Sequence, residues 1–505
     1  MIIWALICTI EYIKNKQMKR TILIIILFLT ISNARSQAFS LDTTFNVDFN
    51  FYPFAGSFTL VRNALFEPDG KIMVYGDFSD LSTGGDIIRI YNNGNRDNTW
   101  THYPNLGCTY IKKVNNDYLI FSQYNSESKL NYYGQGIDTA WSNNLRKNDW
   151  CKILSYPYVW DNGSMMVGSH ATCNNPGLYS RWLKKYFADG NMDTNFMHYP
   201  NGMVGGVFKY SSDKFLLWAE GPPGNGFTTY DNQAAVRFCR IDTAGNLDTS
   251  FHSIFADFGS PKPLFVQNDG KIIVGGFFIL QNDLANYRGF IRLNANGSLD
   301  STFKNNVFFT QNPAKFYEIR TICPTPDGGY LVGGDFISYQ GRQRKGIAKI
   351  DINGILDTNY FKNGQGIDSV HYGNALLPSI SKIYPGLNDT YYVMGMFKYY
   401  NGKKVQPIIR IKGLSNGINE NKKSISDIAL YPNPASNQLT VNYFQEMEEA
   451  VLEIYNTLGV KQMEVKLPHG QSSYSFSVSH LAKGYYKAII KEKGNIRGQQ
   501  GLVVE

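Results

Sequence analysis

The stretch Pro326–Tyr360, PDGGYLVGGDFISYQGRQRKGIAKIDINGILDTNY, carries the pattern that decides the fold of most of this chain. A Pro-Asp-Gly turn precedes an apolar run, a polar loop leads to a second apolar run, and an Asn-Gly turn precedes Asp-Thr-x-aromatic. Asp-Gly and Asn-Gly favour tight hairpin turns because these residues tolerate positive φ angles. Together with the preceding run Arg320–Cys323, the stretch is predicted to form a unit of four short antiparallel strands.

Variants of this unit recur from near residue 40 to residue 413, and the composition around them is rich in Tyr, Phe and Gly. Units of four short strands at a spacing of roughly 45 to 60 residues are typical of β-propeller blades. We therefore predict an all-β protein with a β-propeller over residues 37–413. Seven four-stranded blades fit the repeats best, with six or eight as alternatives. The turns of the units start at Asp69, Asn116, Asn162, Ser212, Asp269, Asp327 and Asn388.

The two ends of the repeat region predict how the ring closes. The seventh unit lacks its Asp-Thr-x-Phe segment, whereas LDTTF stands unpaired at Leu41–Phe45. In a closed ring this amino-terminal segment would complete the last blade, and no edge strand would be left open to pairing with another chain.

Structural roles account for most repeated residues. Gly275-Gly276 and Gly333-Gly334 are predicted to allow a bulge or a close backbone approach. The Asp of Asp-Thr-x-Phe is predicted to cap a turn with its side chain, and the aromatic residue to pack between blades. Asp351, Asn353 and Asp357 offer oxygen ligands at short intervals, but their spacing is not that of a calcium loop, so no metal site is predicted.

The repeats resemble the delta-60 repeat family, whose units read approximately PDGKIlvgGdF followed by RlnxdGslDttF. Gln267–Phe278 with Arg292–Phe303 is the closest match, and the resemblance covers about three-quarters of the chain. It implies a propeller-type structural repeat and no single activity.

The amino-terminal region has the order of an export signal. Lys19 and Arg20 precede the apolar run Thr21–Ile31, which is shorter than the roughly 20 residues of a membrane span. Small residues at Ala34 and Ser36 predict a signal peptide over residues 1–36. Cleavage is expected after Ser36, leaving Gln37 first; an uncleaved anchor is the alternative. Residues 1–17 are interpreted as an upstream extension, with Met18 as the more natural start.

Charge and cysteine content exclude several classes of function. The signal segment carries about half of the formal charge of +8, and no dense Lys/Arg cluster follows it, which argues against nucleic-acid binding. After the loss of Cys8 with the signal segment, five widely spaced cysteines remain without a CxxC pair, so zinc ligation and a dense disulfide framework are not expected. Buried free thiols are favoured, and a single Cys151–Cys173 bridge is the alternative.

No motif of a nucleophilic, metal-dependent or nucleotide-binding enzyme occurs, and no cofactor is predicted. His102 and His198 lie in matching HYPN segments, which indicates repeat ancestry rather than a site. The segments Asn125–Tyr133 and Gly221–Tyr230 are candidates for a ligand-binding face, although Tyr and Trp in a propeller also fill the gaps between blades. Acidic pairs for glycoside hydrolysis would come from different blades, so sequence spacing does not test them.

After the polar stretch 414–424, interpreted as a linker, residues 425–505 alternate strand and turn patterns and predict a small β-sandwich. This region resembles the type A carboxyl-terminal sorting domain of the type IX secretion system in Bacteroidetes, except that Glu505 stands where a basic residue is common. The resemblance implies that the outer-membrane translocation machinery binds this domain. It also implies removal of the domain, followed by release or by attachment to surface lipopolysaccharide. The residues that carry it are Tyr431, Pro432, Asn433, Pro434, Gly459, Leu481, Gly484 and Tyr486.

The sequence thus predicts a secreted or cell-surface propeller, exported through the periplasm. A non-enzymatic module that binds a glycan or a protein is the favoured function. A polysaccharide hydrolase or lyase with its site at the propeller channel is one alternative, and a passive structural protein of the cell surface is another.

Overall fold

The computed structural model describes residues 38–505 with internal gaps. The gaps are 49, 53–58, 68, 79–85, 101–107, 123–127, 132, 135–137, 148–155, 170–181, 305–307, 310–317, 363–364, 369, 373–374, 378, 415–428, 444–446, 457–459 and 494. Several predictions lie outside the described residues: the signal peptide with Ser36 and Gln37, most of the linker, the Cys151–Cys173 bridge, His102 and Gly459.

The described repeat region is built from sets of antiparallel strands, each with a first strand that pairs with a central strand, which in turn pairs with a third. The sets are β1 Leu60–Phe66, β2 Ile72–Asp77 and β3 Ile87–Ile90; β4 Cys108–Val114, β5 Asp117–Ser122 and β6 Ser128–Asn131; β7 Tyr158–Val159, β8 Met165–Gly168 and β9 Leu183–Tyr186; β10 Gly206–Lys209, β11 Lys214–Trp218 and β14 Phe238–Asp242; β15 Phe255–Val266, β16 Ile272–Leu280 and β17 Asp283–Leu293; β19 Glu318–Pro324, β20 Tyr330–Asp335 and β23 Ile347–Ile350; β26 Ser379–Pro385, β27 Thr390–Met396 and β30 Ile408–Lys412.

Shorter elements decorate these sets. Two-residue and three-residue strands form hairpins, and one two-residue strand pairs with β17. They are β12 Thr229–Tyr230 with β13 Gln233–Ala234, β18 Phe308–Phe309, β21 Ser338–Tyr339 with β22 Arg342–Gln343, β24 Val370–Tyr372 with β25 Ala375–Leu377, and β28 Tyr399–Tyr400 with β29 Lys403–Lys404.

The first strand of each set lies at the centre of the molecule. Strand β1 contacts β4 and β26, β7 contacts β10, and β19 contacts β15 and β26. These first strands therefore surround a central channel, and the central and third strands radiate outward, as expected for a β-propeller. A single bridge between Gly276 and Ile319 joins two of the sets into one sheet, and the blade number stays a prediction.

The amino-terminal segment pairs with the last set of strands, as predicted for ring closure. Leu41 forms an antiparallel bridge with Ile411, Phe39 N donates to Lys412 O at 2.9 Å, and Lys412 N donates to Ser40 O at 2.8 Å. On the channel side the ring is closed by the Ser381 hydroxyl, which donates to a β1 carbonyl at 2.6 Å. The closing segment thus covers an edge strand that an open array would expose.

Two expectations about the repeat unit are wrong. The predicted fourth strand is reduced to a single bridge in several units, such as Ile350 with Leu356, because the Asp-Thr-x-aromatic segment turns immediately after it. In the second unit the predicted strand at 138–141 is replaced by helix α1, Thr139–Lys147. Asp138 caps this helix by accepting a hydrogen bond from Trp141 N at 3.0 Å, which satisfies a free N–H of its first turn.

A predicted bulge lies opposite the pair Gly333-Gly334, whereas at Gly275-Gly276 the irregularity is in the pairing of β16 with β17, between Gly275 and Phe278. In the sixth unit the register between β19 and β20 shifts between Ile319 and Thr321, directly across from Gly333 and Gly334. A Cβ at Gly334 would collide with the carbonyl oxygen of Glu318, so only glycine allows the two backbones to approach this closely. The shift turns Arg320 out of the regular pairing.

A repeated arginine–aspartate pair stabilises neighbouring units, and its Asp is the predicted capping residue. Arg292 Nε donates to Asp300 Oδ2 at 2.7 Å, and Thr302 N donates to Asp300 Oδ1 at 3.0 Å. Arg292 Nη1 also donates to Ile352 O in the next unit at 2.8 Å, and its guanidinium lies over the buried Phe303 ring. Corresponding pairs join Arg89 to Asp97, Arg240 to Asp248, and Arg410 to Asp42.

The predicted carboxyl-terminal β-sandwich is present. One sheet has the order β31-β32-β35 and the other β34-β33-β36-β37, with an apolar core that includes Leu439, Leu452 and Ala488. Its strands are β31 Ala429–Tyr431, β32 Gln438–Asn442, β33 Ala450–Asn456, β34 Lys461–Lys466, β35 Ser473–Ser477, β36 Gly484–Glu492 and β37 Asn495–Val504.

Candidate functional site

The start of the inner strands brings basic side chains to one end of the channel. Arg62 and Arg320 both occupy bulge positions, in β1 and β19, beside the glycines of their central strands. Lys262 of β15 lies opposite Gly275 at the same end. Because equivalent positions of different blades meet around the channel, the fold gathers residues that are far apart in sequence.

Each of these cations is paired with a carboxylate. Arg62 Nε donates to Asp77 Oδ1 at 2.8 Å, and Lys262 Nζ lies 2.8 Å from Glu220 Oε1. Arg320 Nη2 donates to Asp335 Oδ2 at 2.7 Å and lies 3.1 Å from Glu318 Oε2. Charge-assisted pairs of this kind fix the positions of both partners.

A tyrosine ring lies among these ion pairs. Tyr156 precedes β7, is held by hydrogen bonds of its backbone with Gly205 and Val207, and has 40% of its surface exposed. Its ring centroid lies 6.0 Å from Lys262 Nζ and 6.2 Å from the ring of Trp218. We call this end of the channel, with Arg62, Lys262, Arg320, their carboxylate partners and Tyr156, the Tyr156 mouth.

The electrostatics of the Tyr156 mouth keep its basic groups charged. Burial lowers the pKa of Arg62, but the hydrogen bond and attraction from Asp77 outweigh it, so the net pKa is raised. Burial likewise lowers the pKa of Arg320, and the charges of Glu318 and Asp335 raise it by more. The arrangement can bind and orient a polar ligand, whereas a general acid needs a carboxyl group that remains protonated near neutral pH.

The remaining predicted sites serve mainly structural roles. Asp351 Oδ1 accepts hydrogen bonds from Asn353 N at 2.9 Å and Ile355 N at 2.7 Å, as in a turn cap. His198 bridges two turns, through Nδ1 to Asp231 at 2.7 Å and Nε2 to Ala244 O at 3.0 Å. Among the described residues, no three His, Cys, Asp or Glu side chains are grouped as metal ligands would be.

The loop candidates and the cysteines have mixed outcomes. In the described segment 221–230, the fully buried Arg237 holds the loop by donating to the carbonyls of Gly221 at 2.7 Å and Pro222 at 2.6 Å. In the segment 125–133, residues 125–127 and 132 lie outside the described residues, Ser128–Asn131 form β6, and Tyr133 is 53% exposed. The three described cysteines, Cys108, Cys239 and Cys323, are buried free thiols, as favoured from the sequence.

The sorting-motif residues join the first strand of the sandwich to its last. Asn433 Nδ2 donates to Gly501 O and its Oδ1 accepts from Val503 N, both at 2.8 Å. Tyr431 OH donates to Asn442 Oδ1 at 2.9 Å. Pro432 and Pro434 flank Asn433 in the turn that follows β31.

The later motif residues lie around β36. Leu481 belongs to the apolar core, and the Tyr486 hydroxyl donates to Ala482 O at 2.6 Å. Gly484 has a φ of 155° and begins β36. The predicted motif residues that the structure describes therefore hold the sandwich together.

The sequence did not identify the Tyr156 mouth. Its eight residues, spread between Arg62 and Asp335, share no motif, and they meet only because the ring brings the inner strands together. The available signal was weak: Arg62 and Arg320 occupy the same place in two units, before the apolar run.

Two protein families match parts of the chain. Residues 429–505 match the secretion system C-terminal sorting domain. A β-propeller family described as a domain of unknown function, DUF5122, matches residues 67–99, 226–251, 267–303 and 325–360. These matches confirm the propeller and the sorting domain, while the delta-60 name itself stays a prediction. No curated protein matches the sequence.

Solved structures with similar folds have low sequence identity. The extracellular domain of BT4673 from B. thetaiotaomicron is 12% identical with a TM-score of 0.39, over 92% of this chain and 58% of that one. This chain thus spans less than two thirds of the domain it matches. PorZ from Porphyromonas gingivalis is 9% identical with a TM-score of 0.34, over 90% and 68% of the two chains. The WD40 propeller domain of Doa1 is 13% identical with a TM-score of 0.40, over 76% and 100%.

The sorting domain indicates export by the type IX secretion machinery to the cell surface or the medium. In the part of the chain that the structure describes, no helix has the length and hydropathy required to cross a membrane.

Proposed function

We propose that this protein, an exported β-propeller with a type IX secretion sorting domain, is a binding protein whose ligand site is the Tyr156 mouth. The observation that carries the proposal is the partly exposed Tyr156 ring among side chains that are already ion-paired. Paired charges present a fixed set of hydrogen-bond donors and acceptors to a ligand.

A glycan or a protein segment fits this chemistry. The apolar face of a sugar ring can stack on Tyr156, while its hydroxyls exchange hydrogen bonds with the surrounding Arg and Asp side chains. A tyrosine or arginine side chain of a protein partner could use the same groups, since aromatic and Arg residues dominate protein interfaces. Of the two, a glycan fits better because the exposed Tyr156 ring and the polar Lys262–Glu220 pair lie side by side, the combination that a sugar ring with hydroxyls requires.

The alternative, a polysaccharide hydrolase or lyase at the channel, has one observation in its favour. Asp335 Oδ1 is buried and has no hydrogen-bond partner among the described residues, so this oxygen is available to a substrate hydroxyl. Its other oxygen accepts a hydrogen bond from Arg320 Nη2 at 2.7 Å. Glycoside hydrolysis needs a second carboxyl group, and the neighbouring carboxylates Asp77 and Glu220 are each paired with a cation, Arg62 and Lys262.

The test is a glycan array probed with the full-length protein and with Tyr156→Ala. We expect Tyr156→Ala to weaken binding of any glycan hit by roughly 5- to 150-fold, because stacking on one aromatic ring contributes about 1 to 3 kcal/mol. Tyr399→Ala is the matched control: Tyr399 is also 40% exposed but lies in the β28 hairpin, so its loss should leave binding unchanged.

Two results would contradict the proposal. Equal binding by the wild type and Tyr156→Ala would place the ligand elsewhere. New reducing ends from a polysaccharide, lost in Asp335→Asn, would establish the hydrolytic alternative.

We further propose that the sorting domain is removed after transport and that the propeller is then released or attached to surface lipopolysaccharide. A passive structural role at the cell surface is the remaining alternative.

A further inference from the structure

A loop at the rim of the Tyr156 mouth is held by one buried arginine. The loop, Gly221–Gly226, follows β11 and begins directly after Glu220, the partner of Lys262 in the mouth. We call it the Pro222 loop. Its residues Pro222–Asn225 are exposed, whereas Arg237, which binds the loop, is fully buried. An exposed segment beside the mouth is therefore anchored by an internal cation.

Arg237 fastens the Pro222 loop to strand β15. Its Nη1 donates to Gly221 O at 2.7 Å and to Gly259 O at 2.8 Å, and its Nη2 donates to Pro222 O at 2.6 Å. Gly259 precedes Lys262 in β15, so the loop is attached to the same strand that supplies a cation of the mouth. Charge-assisted hydrogen bonds of this kind hold both partners in a fixed geometry.

Asp257 extends this attachment to the tip of the loop. Arg237 Nε donates to Asp257 Oδ1 at 2.8 Å, and Gly224 N donates to Asp257 Oδ2 at 2.9 Å. The carboxylate thus neutralises the buried guanidinium and binds the exposed backbone of the loop at the same time. Arg237 reaches both ends of the loop, directly at Gly221 and through Asp257 at Gly224.

Arg237 has a backbone conformation that residues with side chains rarely adopt. Its φ is 60°, in the left-handed region that favours glycine. In the sixth unit the equivalent residue is Gly346, with a φ of 71°. The two positions correspond because the carbonyl of Arg237 accepts from Ala219 N at 2.9 Å and that of Gly346 accepts from Gly334 N at 3.0 Å. An arginine under backbone strain at this position indicates a role for its side chain.

The Pro222 loop presents an unpaired amide next to the mouth. A Cβ added at Gly221 would lie 3.6 Å from Asn225 Cβ, so Asn225 folds back beside the residue that follows Glu220. The backbone of Asn225 is fixed, since its N–H donates to Pro222 O at 3.3 Å and its carbonyl accepts from Met203 N at 2.9 Å. Its exposed side-chain amide has no hydrogen-bond partner among the described residues. An amide can both donate to and accept from hydroxyl groups.

The charges of the Tyr156 mouth are balanced, which favours an uncharged ligand. The mouth contains three cations and four carboxylates. They are Arg62, Lys262 and Arg320 with Asp77, Glu220, Glu318 and Asp335. Lys382 of β26, which interacts electrostatically with Lys262, brings the cations to four. An acidic glycan would therefore meet no excess of positive charge here.

We infer that the Pro222 loop is part of the ligand site, where the Asn225 amide forms hydrogen bonds with hydroxyls of a neutral oligosaccharide stacked on Tyr156. Arg237 is the positioning residue that fixes the loop before the ligand binds. This inference rests on the proposed glycan-binding function of the Tyr156 mouth. A loop that is already ordered loses less conformational freedom on binding, so more of the energy of its hydrogen bonds contributes to affinity.

The first test is calorimetric titration of the full-length protein with cellohexaose, xylohexaose and mannohexaose. We expect the wild type to bind at least one of them. Asn225→Ala should weaken that binding by roughly 2- to 12-fold, as expected for one hydrogen bond between uncharged groups. The melting temperature should stay unchanged, because the exposed Asn225 side chain holds no other described residue in place.

Asn353→Ala is the matched control for this titration. Asn353 is also exposed, but it lies in the turn that follows β23. Ile350, at the end of β23, pairs with Tyr330 at the start of β20, whereas Asp335 of the mouth lies at the other end of β20. Asn353 is therefore on the opposite side of the propeller, and its replacement should leave binding unchanged.

The outcomes separate this inference from the proposed function. Binding that Tyr156→Ala weakens and Asn225→Ala leaves unchanged would overturn the inference alone. Binding that neither variant weakens would overturn both. If the wild type binds none of the three hexasaccharides, the inference fails, and the proposed function is then decided by the glycan array.

Arg237→Gly tests the positioning role, because glycine accepts a φ of 60° without strain. Hydrogen exchange of the peptide that contains Gly224 should become at least tenfold faster, and oligosaccharide binding should weaken at least as much as in Asn225→Ala. Adding Asn225→Ala to this variant should then weaken binding less than twofold further, because the amide is no longer held in place.

A purely structural role of Arg237 would give a different result. Unchanged hydrogen exchange at Gly224, or a full additional loss of affinity in the double variant, would overturn the positioning role. Asn225→Ala leaves Arg237 in place, so the titration decides whether the loop contacts the ligand even if Arg237→Gly does not fold.

Discussion

Arg410 Nε donates to Asp42 Oδ2 at 2.7 Å, although the two residues are 368 positions apart in sequence. Arg410 Nη1 also donates to Asn92 O at 2.9 Å, so one guanidinium links the amino-terminal segment, the last set of strands and the first. Burial raises the pKa of Asp42, but hydrogen bonds from Thr44 and Arg410 outweigh it and hold the pKa below its ordinary value. The same pair that joins neighbouring units elsewhere in the ring thus joins the two ends of the chain here.

Replacing Arg410 with methionine should destabilise the protein by about 3 kcal/mol, because removal of one partner leaves a buried carboxylate without its counter-charge. A urea unfolding curve would measure the change. Lys493→Met is the control, since the pair of Lys493 with Glu448 is exposed and screened by water and should change stability little. Deletion of residues 37–46 should lower the melting temperature by several degrees for the same reason, and an unchanged melting temperature would argue against ring closure by this segment.

The arginine–aspartate pairs also predict sensitivity to acid. Burial raises the pKa of Asp300, but hydrogen bonds from Thr302, Lys271 and Arg292 outweigh it, so the folded-state pKa lies below the ordinary value of 3.8. Its stabilising contribution is therefore complete above pH 3.8 and is lost as the pH falls toward the folded-state pKa, since only the unfolded chain takes up the proton.

Urea unfolding between pH 5 and pH 2 would measure this loss in the wild type and in Asp300→Asn. The variant should be less stable at pH 5 and should lose less stability on acidification, because it has no carboxylate to protonate at this position. Asp161→Asn, whose side chain is 75% exposed, should keep the wild-type dependence on pH. Identical slopes for the wild type and Asp300→Asn would contradict the assignment.

The repeat pattern allowed the fold to be predicted because its turns and apolar runs act locally. The residue types themselves indicate the local conformation at the Asp-Gly turns and at the glycine pairs. The unpaired LDTTF at 41–45 likewise indicates how the ring closes. The fourth strand was overpredicted because the strand-like residue pattern of Ile355–Tyr360 continues beyond the point where the backbone turns. The Asp357 side chain caps this turn by accepting a hydrogen bond from Asn359 N. Helix α1 was missed because its Asp-Thr-Ala-Trp segment matches the repeat, whereas its residues pack as a helix against β6.

The Tyr156 mouth could not be predicted from the sequence, since it depends on distances between blades. Arg62 and Arg320 look like two unrelated basic residues until β1 and β19 both face the channel. The sequence shows that Arg292 and Asp300 recur at equivalent positions of the units. Their role in joining neighbouring units, however, depends on the backbone carbonyl of Ile352, and no pattern of side chains identifies a backbone acceptor.

A glycine at the inner bulge should be indispensable in the sixth unit. Gly334→Ala would place a Cβ against Glu318 O and 3.0 Å from Arg320 N, and displacement of the inner strand should cost about 2 kcal/mol. Gly341→Ala is the control: Gly341 has a φ of 72° and open space around its Cβ position, so backbone strain alone should cost about 1 kcal/mol. Chemical unfolding compares the two, and equal losses would show that close approach is not the reason for Gly334.

Removal of the sorting domain should prevent the protein from reaching the cell surface. With residues 425–505 deleted, the propeller should accumulate in the periplasm, measured by cell fractionation and by its protection from protease added to intact cells. Protease treatment of the periplasmic fraction separates retention of a folded propeller from misfolding. Unchanged surface display of the truncated protein would contradict the role of this domain in export.

Asn433→Ala provides a finer variant for the same measurement. Asn433 bonds to Gly501 and Val503, so its loss should loosen the last strand of the sandwich and reduce export without altering the propeller. Asn442→Ala removes one half-buried side-chain hydrogen bond, to Tyr431, and should reduce export less. Equal export of the wild type and Asn433→Ala would mean that the machinery recognises the domain without needing this link between its first and last strands.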